Sequence, residues 1–226
     1  MTQRGVIFDM DGVIVDSGPA HLESWKRLAS ENGLDITDAQ FAETFGRPSR
    51  EIIRLRWGDR LPEDEARRDE EVRRLDDHKE SIYREIIRGR VPVMPGAVEL
   101  IRALHAEGWR LGIGSSGPPA NVALVVEELD LAPLLSGSTS ASDVTRGKPD
   151  PEVFLIAAER MGVEPARCIV IEDAHHGIEA AHRAGMKAVA LTSTHPAAQL
   201  AEADRVVSHL GALSPGALDE LLNNIA

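Results

Sequence analysis

Five short aliphatic runs set the tightest constraint on this chain: residues 5–8, 111–114, 168–171, 188–191 and 205–207. None alternates apolar with polar residues, so each suits a strand buried on both faces of a parallel sheet. Helical patterns fill the intervals. Residues 119–129 open on prolines suited to a first helical turn, and residues 151–161 follow Asp150, a candidate N-cap. Residues 95–107 stop before Gly108, a candidate helix end, and shorter helical patterns cover 177–184 and 197–203. Strand–helix alternation of this kind predicts an α/β fold with a doubly wound parallel sheet.

Residues 17–91 break the alternation. Helical patterns at 21–32, 38–45, 49–57 and 62–87 follow one another with no strand-like run between them. In the first, Leu22, Trp25, Leu28 and Ala29 share one face. The sequence thus predicts a core built from residues 1–16 and 93–226, with an inserted all-α domain at 17–92. Residues 18–91 hold 17 acidic and 15 basic side chains, against 20 and 10 in the rest. So mixed a stretch reads as solvated helix faces. It is also where cations for an anionic substrate would be sought.

The whole chain has 37 acidic and 25 basic side chains, a net charge of −12, which argues against nucleic acid as a partner. No stretch approaches 18 consecutive apolar residues, and the first residues lack a signal peptide's basic head and long apolar run, so neither a membrane span nor secretion is expected. The single cysteine, Cys168, opens an aliphatic run and reads as packing, which suits a cytoplasmic protein. A monomer or weak homo-oligomer is expected.

The first aliphatic run ends in Asp9-Met10-Asp11-Gly12. Ligands bind at the carboxyl ends of strands in open α/β sheets, and two carboxylates one residue apart there repel unless a cation lies between them. Mg²⁺ suits one or two carboxylates plus phosphate oxygens. The run at 168–171 also ends in acids, Glu172-Asp173, and the run at 111–114 ends in Ser115-Ser116-Gly117, whose hydroxyls and helix entrance suit phosphate. Lys148 is one of four lysines among 25 cations, and a compact ammonium fits between a carboxylate and a phosphoryl oxygen where a planar guanidinium does not. His175, His176 and His182 lack the paired helical spacing of a transition-metal site and have no cysteines beside them.

These motifs, in this order, resemble the haloacid dehalogenase-like superfamily, in the branch whose helical cap follows the first motif. The resemblance rests on Asp9-Met10-Asp11-Gly12-Val13, Leu111-Gly112-Ile113-Gly114-Ser115, Gly147-Lys148-Pro149 and Ile171-Glu172-Asp173, with Gly177–Ala181 and Ala184-Gly185-Met186 in support. It implies a Rossmann-like core, a mobile cap, Mg²⁺ and an aspartyl-phosphate intermediate. Asp9 would be the nucleophile, Asp11 the general acid and base, and Ser115 and Lys148 the groups that neutralise the phosphoryl unit. Asp173, the Asp9 carboxylate and the Asp11 backbone carbonyl would hold the metal, with Glu172 supporting it. The second aspartate, Asp11, separates the chain from dehalogenases and phosphonate-cleaving members.

Within the insertion, His21, Trp25, Arg50 and Lys79 resemble substrate-binding positions of β-phosphoglucomutases, and Ser116 adjoins the phosphate site. Other positions depart from that pattern: Ser115-Ser116-Gly117-Pro118 lacks the following lysine and asparagine, Phe45 precedes Gly46 where a cation is common, Glu80 stands for asparagine, and Ala174 for serine. The expected activity is therefore Mg²⁺-dependent hydrolysis of a small phosphorylated metabolite such as a sugar phosphate. The alternative is conversion of β-glucose 1-phosphate to glucose 6-phosphate. A phospho-acceptor signalling module, which also combines acids, a hydroxyl and a lysine, would need neither the helical insertion nor an acceptor on the first strand.

Overall fold

The computed structural model describes residues 3–44 and 47–223. In chain order its elements are β1 (Gly5–Phe8), α1 (Gly18–Glu31), α2 (Asp38–Thr44), α3 (Ser49–Trp57), α4 (Glu65–Ile87), α5 (Ala97–Ala106), β2 (Arg110–Gly114), α6 (Pro119–Glu128), β3 (Gly137–Thr139), α7 (Glu152–Met161), β4 (Cys168–Glu172), α8 (His175–Arg183), β5 (Lys187–Leu191), β6 (Arg205–Val207) and α9 (Pro215–Asn223). The chain divides into two compact units, one holding the chain up to Asp16 and again from Val91, the other Ser17–Arg90.

The first unit is built on one parallel sheet of strand order β3-β2-β1-β4-β5-β6. This is the expected doubly wound α/β architecture. Its order reverses at β1, whose neighbours β2 and β4 come from opposite arms of the sheet. Register aligns the strand ends. Phe8 pairs with both Ile113 and Ile171, and Glu172 with Ala190, so the ends arrive side by side at one edge. Ile7, Val170, Ala188 and Ala190 turn to one face, where Phe154, Ala157 and Met161 of α7 and Ile178 and Ala181 of α8 pack on them. Val6, Phe8, Ile113, Ile169 and Ile171 alternate to the opposite face and are equally buried, with α5 against β2 and α9 against β4. Burial on both faces is why these strands are aliphatic throughout.

Three elements differ from the sequence reading. β3 is a three-residue Gly-Ser-Thr edge strand, held by Gly112, Ile113 and Gly114 rather than by any apolar run of its own. The helix expected at 197–203 shrinks to the 3₁₀ turn Ala197–Gln199, which follows Pro196. α9, whose Leu218, Leu221 and Leu222 are buried, has no counterpart among the expected helices. The expected 38–45 helix ends on Phe45, and that residue and Gly46 lie outside the described residues.

The second unit is helical. α4 begins where the Asp64 carboxylate accepts from the Arg67 backbone N–H at 3.0 Å, three residues later than the pattern suggests. It packs on α1 and α3 through Val72, Leu75, Ile82 and Tyr83, while most of its charged residues face solvent. Trp25 and Trp57 meet edge to face at 5.6 Å, and the Trp57 indole donates to the Asp35 carbonyl at 3.0 Å.

Asp204 ties β5 to the turn before β6, accepting from Lys187 Nζ at 2.8 Å, the Ala188 N–H at 2.8 Å and His182 Nε2 at 3.0 Å. Burial opposes its charge, but these donors outweigh burial and hold the carboxyl below the usual range. A depressed carboxyl stabilises the fold above its unfolded value, near pH 4, and the contribution is lost as pH falls through its folded value. Asp204→Asn should therefore cost about 1 kcal/mol at pH 7. In urea titrations the gap from wild type should narrow between pH 5 and pH 3.

Candidate active site

Just past β1 the Asp9 N–H donates to the Ile171 carbonyl at 2.9 Å, continuing the sheet register by one residue. The chain then turns back, with Ile14 and Val15 N–H groups on the Met10 carbonyl, and Gly12 takes a positive φ of 78°. A Cβ on Gly12 would overlap Asp173 Oδ2 and stand 3.1 Å from Thr194 Cγ2. Only glycine lets the turn pass so close to the second acidic strand end.

Lys148 joins the two acidic strand ends. Its ammonium donates to Asp9 Oδ1 at 2.6 Å and to Glu172 Oε1 at 2.8 Å, with 9% of its side chain exposed. The ammonium also stands 4.7 Å from the centre of the Phe154 ring. The loop that delivers it is pinned by Glu152 of α7, whose Oε2 accepts from the Thr145 N–H and hydroxyl and from the Arg146 N–H at 2.8–3.0 Å. Glu172 uses its other oxygen on the Asp173 and Ala174 N–H groups at 2.7 and 2.8 Å, capping the entrance to α8. Glu172 is thereby a brace between Lys148 and the backbone.

Ser115 is buried at the end of β2, its N–H on the Thr139 carbonyl and its Oγ accepting the Gly117 N–H at 2.9 Å. The short edge strand β3 thus holds the serine in place. The Asp11 carboxylate lies 3.8 Å from where a Cβ would stand on Gly117. Ser116 is exposed beside it. Asp9, Asp11, Ser115, Lys148, Glu172 and Asp173 are therefore gathered at one sheet edge.

The electrostatics leave this edge short of positive charge. Burial, against the pull of Lys148 and with the Glu172 and Asp11 carboxylates adding to it, pushes the Asp9 carboxyl up to about 7. Asp173 is raised by burial and then by Glu172 and Asp9. Burial works against the Lys148 charge, yet Asp9 and Glu172 hold the ammonium above the usual lysine range. Glu172 falls below its ordinary value because Lys148 and the capped N–H groups outweigh burial. One ammonium cannot compensate three buried carboxylates. Asp9, Glu172 and Asp173 each offer an oxygen, and these lie within 4.8 Å of one another. A hard, oxygen-seeking divalent cation fits that donor set and its unmet charge. Asp11's side chain stands outside this group. Among the described residues no other group of histidine, cysteine and carboxylate side chains meets the same test, and His175 and His176 are exposed.

The helical unit holds a polar cluster of its own. Lys79, 2% exposed, donates to His21 Nδ1 and Glu80 Oε1, both at 2.8 Å, and Ser49 Oγ donates to Glu80 Oε1 at 3.0 Å. An ammonium has no lone pair, so His21 Nδ1 accepts and the ring proton sits on Nε2. His21 stacks on Tyr83 at 4.0 Å, and Lys79 lies 5.5 Å from the centre of the Trp25 ring. Arg50, next to Ser49, pairs beside this cluster, its Nε on Asp76 Oδ2 at 2.7 Å, where Asp76 also feels the Glu80 and Lys79 charges. Sequence reasoning brings His21, Trp25 and Lys79 forward but misses the carboxylates that occupy the two cations. It also misses Ser193, Thr194 and His195, which reach Gly12 and Asp173 from the loop after β5. A signal for them exists: they follow another buried strand at the same sheet edge.

A doubly wound sheet that gathers carboxylates, a serine and a lysine at the carboxyl ends of its central strands places the chain among the α/β proteins that bind ligands at that edge. The profile of the haloacid dehalogenase-like hydrolase family matches residues 3–185, and the chain belongs to that family. Over 212 residues it is 34% identical to the validoxylamine A 7'-phosphate phosphatase of Streptomyces hygroscopicus subsp. limoneus, an alignment spanning 90% of this chain and 92% of that protein. Over 190 residues it is 33% identical to the fructose-1-phosphate phosphatase YqaB of Escherichia coli K12, with 82% and 94% covered. Among solved structures, a β-phosphoglucomutase from Clostridium difficile superposes with a TM-score of 0.83 at 27% identity, covering 98% of both chains.

Gly177 tests the brace. A Cβ there would overlap the Glu172 carboxylate. Gly→Ala inside a helix ordinarily stabilises by roughly 0.5–1 kcal/mol. In Gly177→Ala the sign should reverse, with a net loss of about 1–3 kcal/mol as Glu172 is displaced from Lys148 and the α8 entrance. Chemical denaturation of the two proteins measures the difference.

Proposed function

We propose that the protein is a Mg²⁺-dependent phosphatase that hydrolyses a small phosphorylated metabolite of the sugar-phosphate class. The observation that carries this reading is the Lys148 bridge, which fixes Asp9 at the sheet edge beside Ser115 and Asp11. The family and the phosphatase names of the two relatives support it.

In this reading an Asp9 carboxylate oxygen attacks phosphorus as the bond to the sugar oxygen breaks, and Asp11 supplies the proton that the departing alkoxide takes. Asp11, now a carboxylate, removes a proton from water, whose oxygen attacks the phosphoryl group and frees Asp9 and inorganic phosphate. Ser115 Oγ and Lys148 hold the phosphoryl oxygens, with Ser116 at the rim. Asp9, Asp173 and the Asp11 carbonyl would hold Mg²⁺, braced by Glu172. When bound, the ion supplies positive charge against the phosphoryl oxygens and the nucleophile. His21, Trp25, Lys79 and Arg50 of the helical unit are the proposed readers of the leaving group.

Hydrolysis is preferred to isomerisation because Arg50, the cation proposed for a second phosphate, is already engaged by Asp76, and Lys79 by Glu80. No helix among the described residues is long and apolar enough to cross a membrane. We place the enzyme in the cytoplasm, as a monomer or weak homo-oligomer.

Asp9→Asn should keep the fold and lose several orders of magnitude in kcat, since the amide is nearly isosteric and cannot attack phosphorus. Retention of more than about a tenth of the rate, a barrier change under ~1.4 kcal/mol, would remove Asp9 from that role. Given β-glucose 1-phosphate with a trace of bisphosphate primer, the enzyme should release phosphate faster than it forms glucose 6-phosphate. Conversion outrunning release ten-fold, and collapsing in Arg50→Ala, would make it a mutase.

A further inference from the structure

The loop after β5, Thr192 to His195, takes no part in the proposed chemistry, yet it touches both acidic strand ends. Ser193 Oγ donates to the Gly12 carbonyl at 2.6 Å, closing on the turn that carries Asp9 and Asp11. Thr194 Oγ1 makes a short bond to Asp173 Oδ2 and lies 3.2 Å from the Asp173 carbonyl. His195 Nδ1 is 3.1 Å from that carbonyl and 2.9 Å from Thr194 Oγ1.

Donor and acceptor accounting orients these bonds. An ionised Asp173, the form that binds a cation, only accepts, so the single Thr194 hydroxyl proton goes to Oδ2. His195 Nδ1 then faces a carbonyl oxygen and a hydroxyl oxygen whose proton is already used. It must carry the proton itself. The ring therefore donates toward the threonine and the Asp173 backbone, while the threonine donates to the carboxylate. Thr194 is β-branched, which narrows its χ1 choice, and its methyl packs toward Gly12, 3.1 Å from where a Cβ would stand there.

We propose that Thr194 is a positioning residue for the divalent cation: it fixes the rotamer of Asp173, with Ser193 holding the facing Asp9–Gly12 turn and His195 fixing the direction of the Thr194 hydroxyl. This rests on the reading of Asp9, Asp173 and the Asp11 carbonyl, braced by Glu172, as the Mg²⁺ site. A threonine on an exposed loop would otherwise be expendable. Here its hydroxyl reaches a carboxylate that is 6% exposed and has Glu172 and Asp9 as like-charged neighbours. Partners that orient metal ligands typically change metal affinity 10- to 100-fold when removed.

The test is Mg²⁺ binding to the substrate-free full chain, by isothermal titration calorimetry and by the Mg²⁺-dependent rise in Tm. Thr194→Val keeps the shape and removes the hydroxyl. It should weaken Mg²⁺ binding about ten-fold or more, leave the metal-free Tm close to wild type, and keep most of kcat once Mg²⁺ is saturating. Thr194→Ser should restore the affinity, which a merely structural role for the methyl would not allow. Thr194→Ala serves as the second hydroxyl-free variant should the valine protein melt early. Wild-type affinity in a folded Thr194→Val or Thr194→Ala, or a serine variant as weak as the valine one, overturns the positioning role and leaves the metal site standing. A wild-type protein that binds no Mg²⁺ and keeps full activity in chelator overturns both.

Discussion

The ammonium of Lys148, buried between Asp9 and Glu172, is the contact on which the rest of the site depends. A buried charge is tolerated only when paired and fully hydrogen-bonded, and breaking such a pair from one side strands the partner. The contact joins a loop lysine to two strand ends that lie 139 and 24 residues away in the chain. It exists only because β1 and β4 are neighbours in register, so that Asp9 and Glu172 emerge side by side. The aliphatic sheet and the charged edge are one design. The buried faces supply the stability that an electrostatically unfavourable edge consumes.

Glu172 shows how closely the backbone is drawn in. Its two oxygens face different tasks, Oε1 toward Lys148 and Oε2 toward the N–H groups that open α8. The helix entrance thus carries a negative charge that is already balanced, consistent with the preference of helix N-termini for anions. Asp173, one residue on, lacks that support and depends on Thr194 instead. Two adjacent acids at one strand end are therefore placed unlike each other: Glu172 is paired with Lys148 and the backbone, and Asp173, the proposed metal ligand, is bonded by Thr194.

Much of this is legible in the sequence because the chemistry sits where strands end. An aliphatic run followed at once by Asp-Met-Asp-Gly or Glu-Asp announces both the strand and the carboxylate edge, and the four-motif order identifies the family. β3 is not legible, since Gly-Ser-Thr has no apolar signal and becomes a strand only through its pairing with β2. Nor are Arg50–Asp76 and Ser49–Glu80, which join residues 26 and 31 apart through the packing of α3 on α4. Glu80 stands in plain view as a departure from a mutase pattern, but its neutralising role emerges only from the 2.8 Å contact with Lys79.

Charge accounting within each unit favours a hydrolase that handles one phosphate. In the helical unit the two cations of interest are each matched by a carboxylate, so that unit offers little uncompensated positive charge at those positions. In the sheet unit the excess is negative: three buried carboxylates share one ammonium, which contacts two of them, and burial, with the Glu172 and Asp11 charges adding to it, pushes Asp9 up to about 7. A dianionic phosphoryl group brought to that edge would add to the repulsion, and Ser115 and the Gly117 N–H are dipoles, too weak to cancel it alone. Positive charge must therefore arrive with the substrate or before it. A bound divalent cation would lower the Asp9 carboxyl toward its ionised, nucleophilic form and screen the incoming anion at the same time. The surplus of acid at the strand ends, electrostatically costly by itself, is what would make the site selective for a cation and a phosphoryl group together.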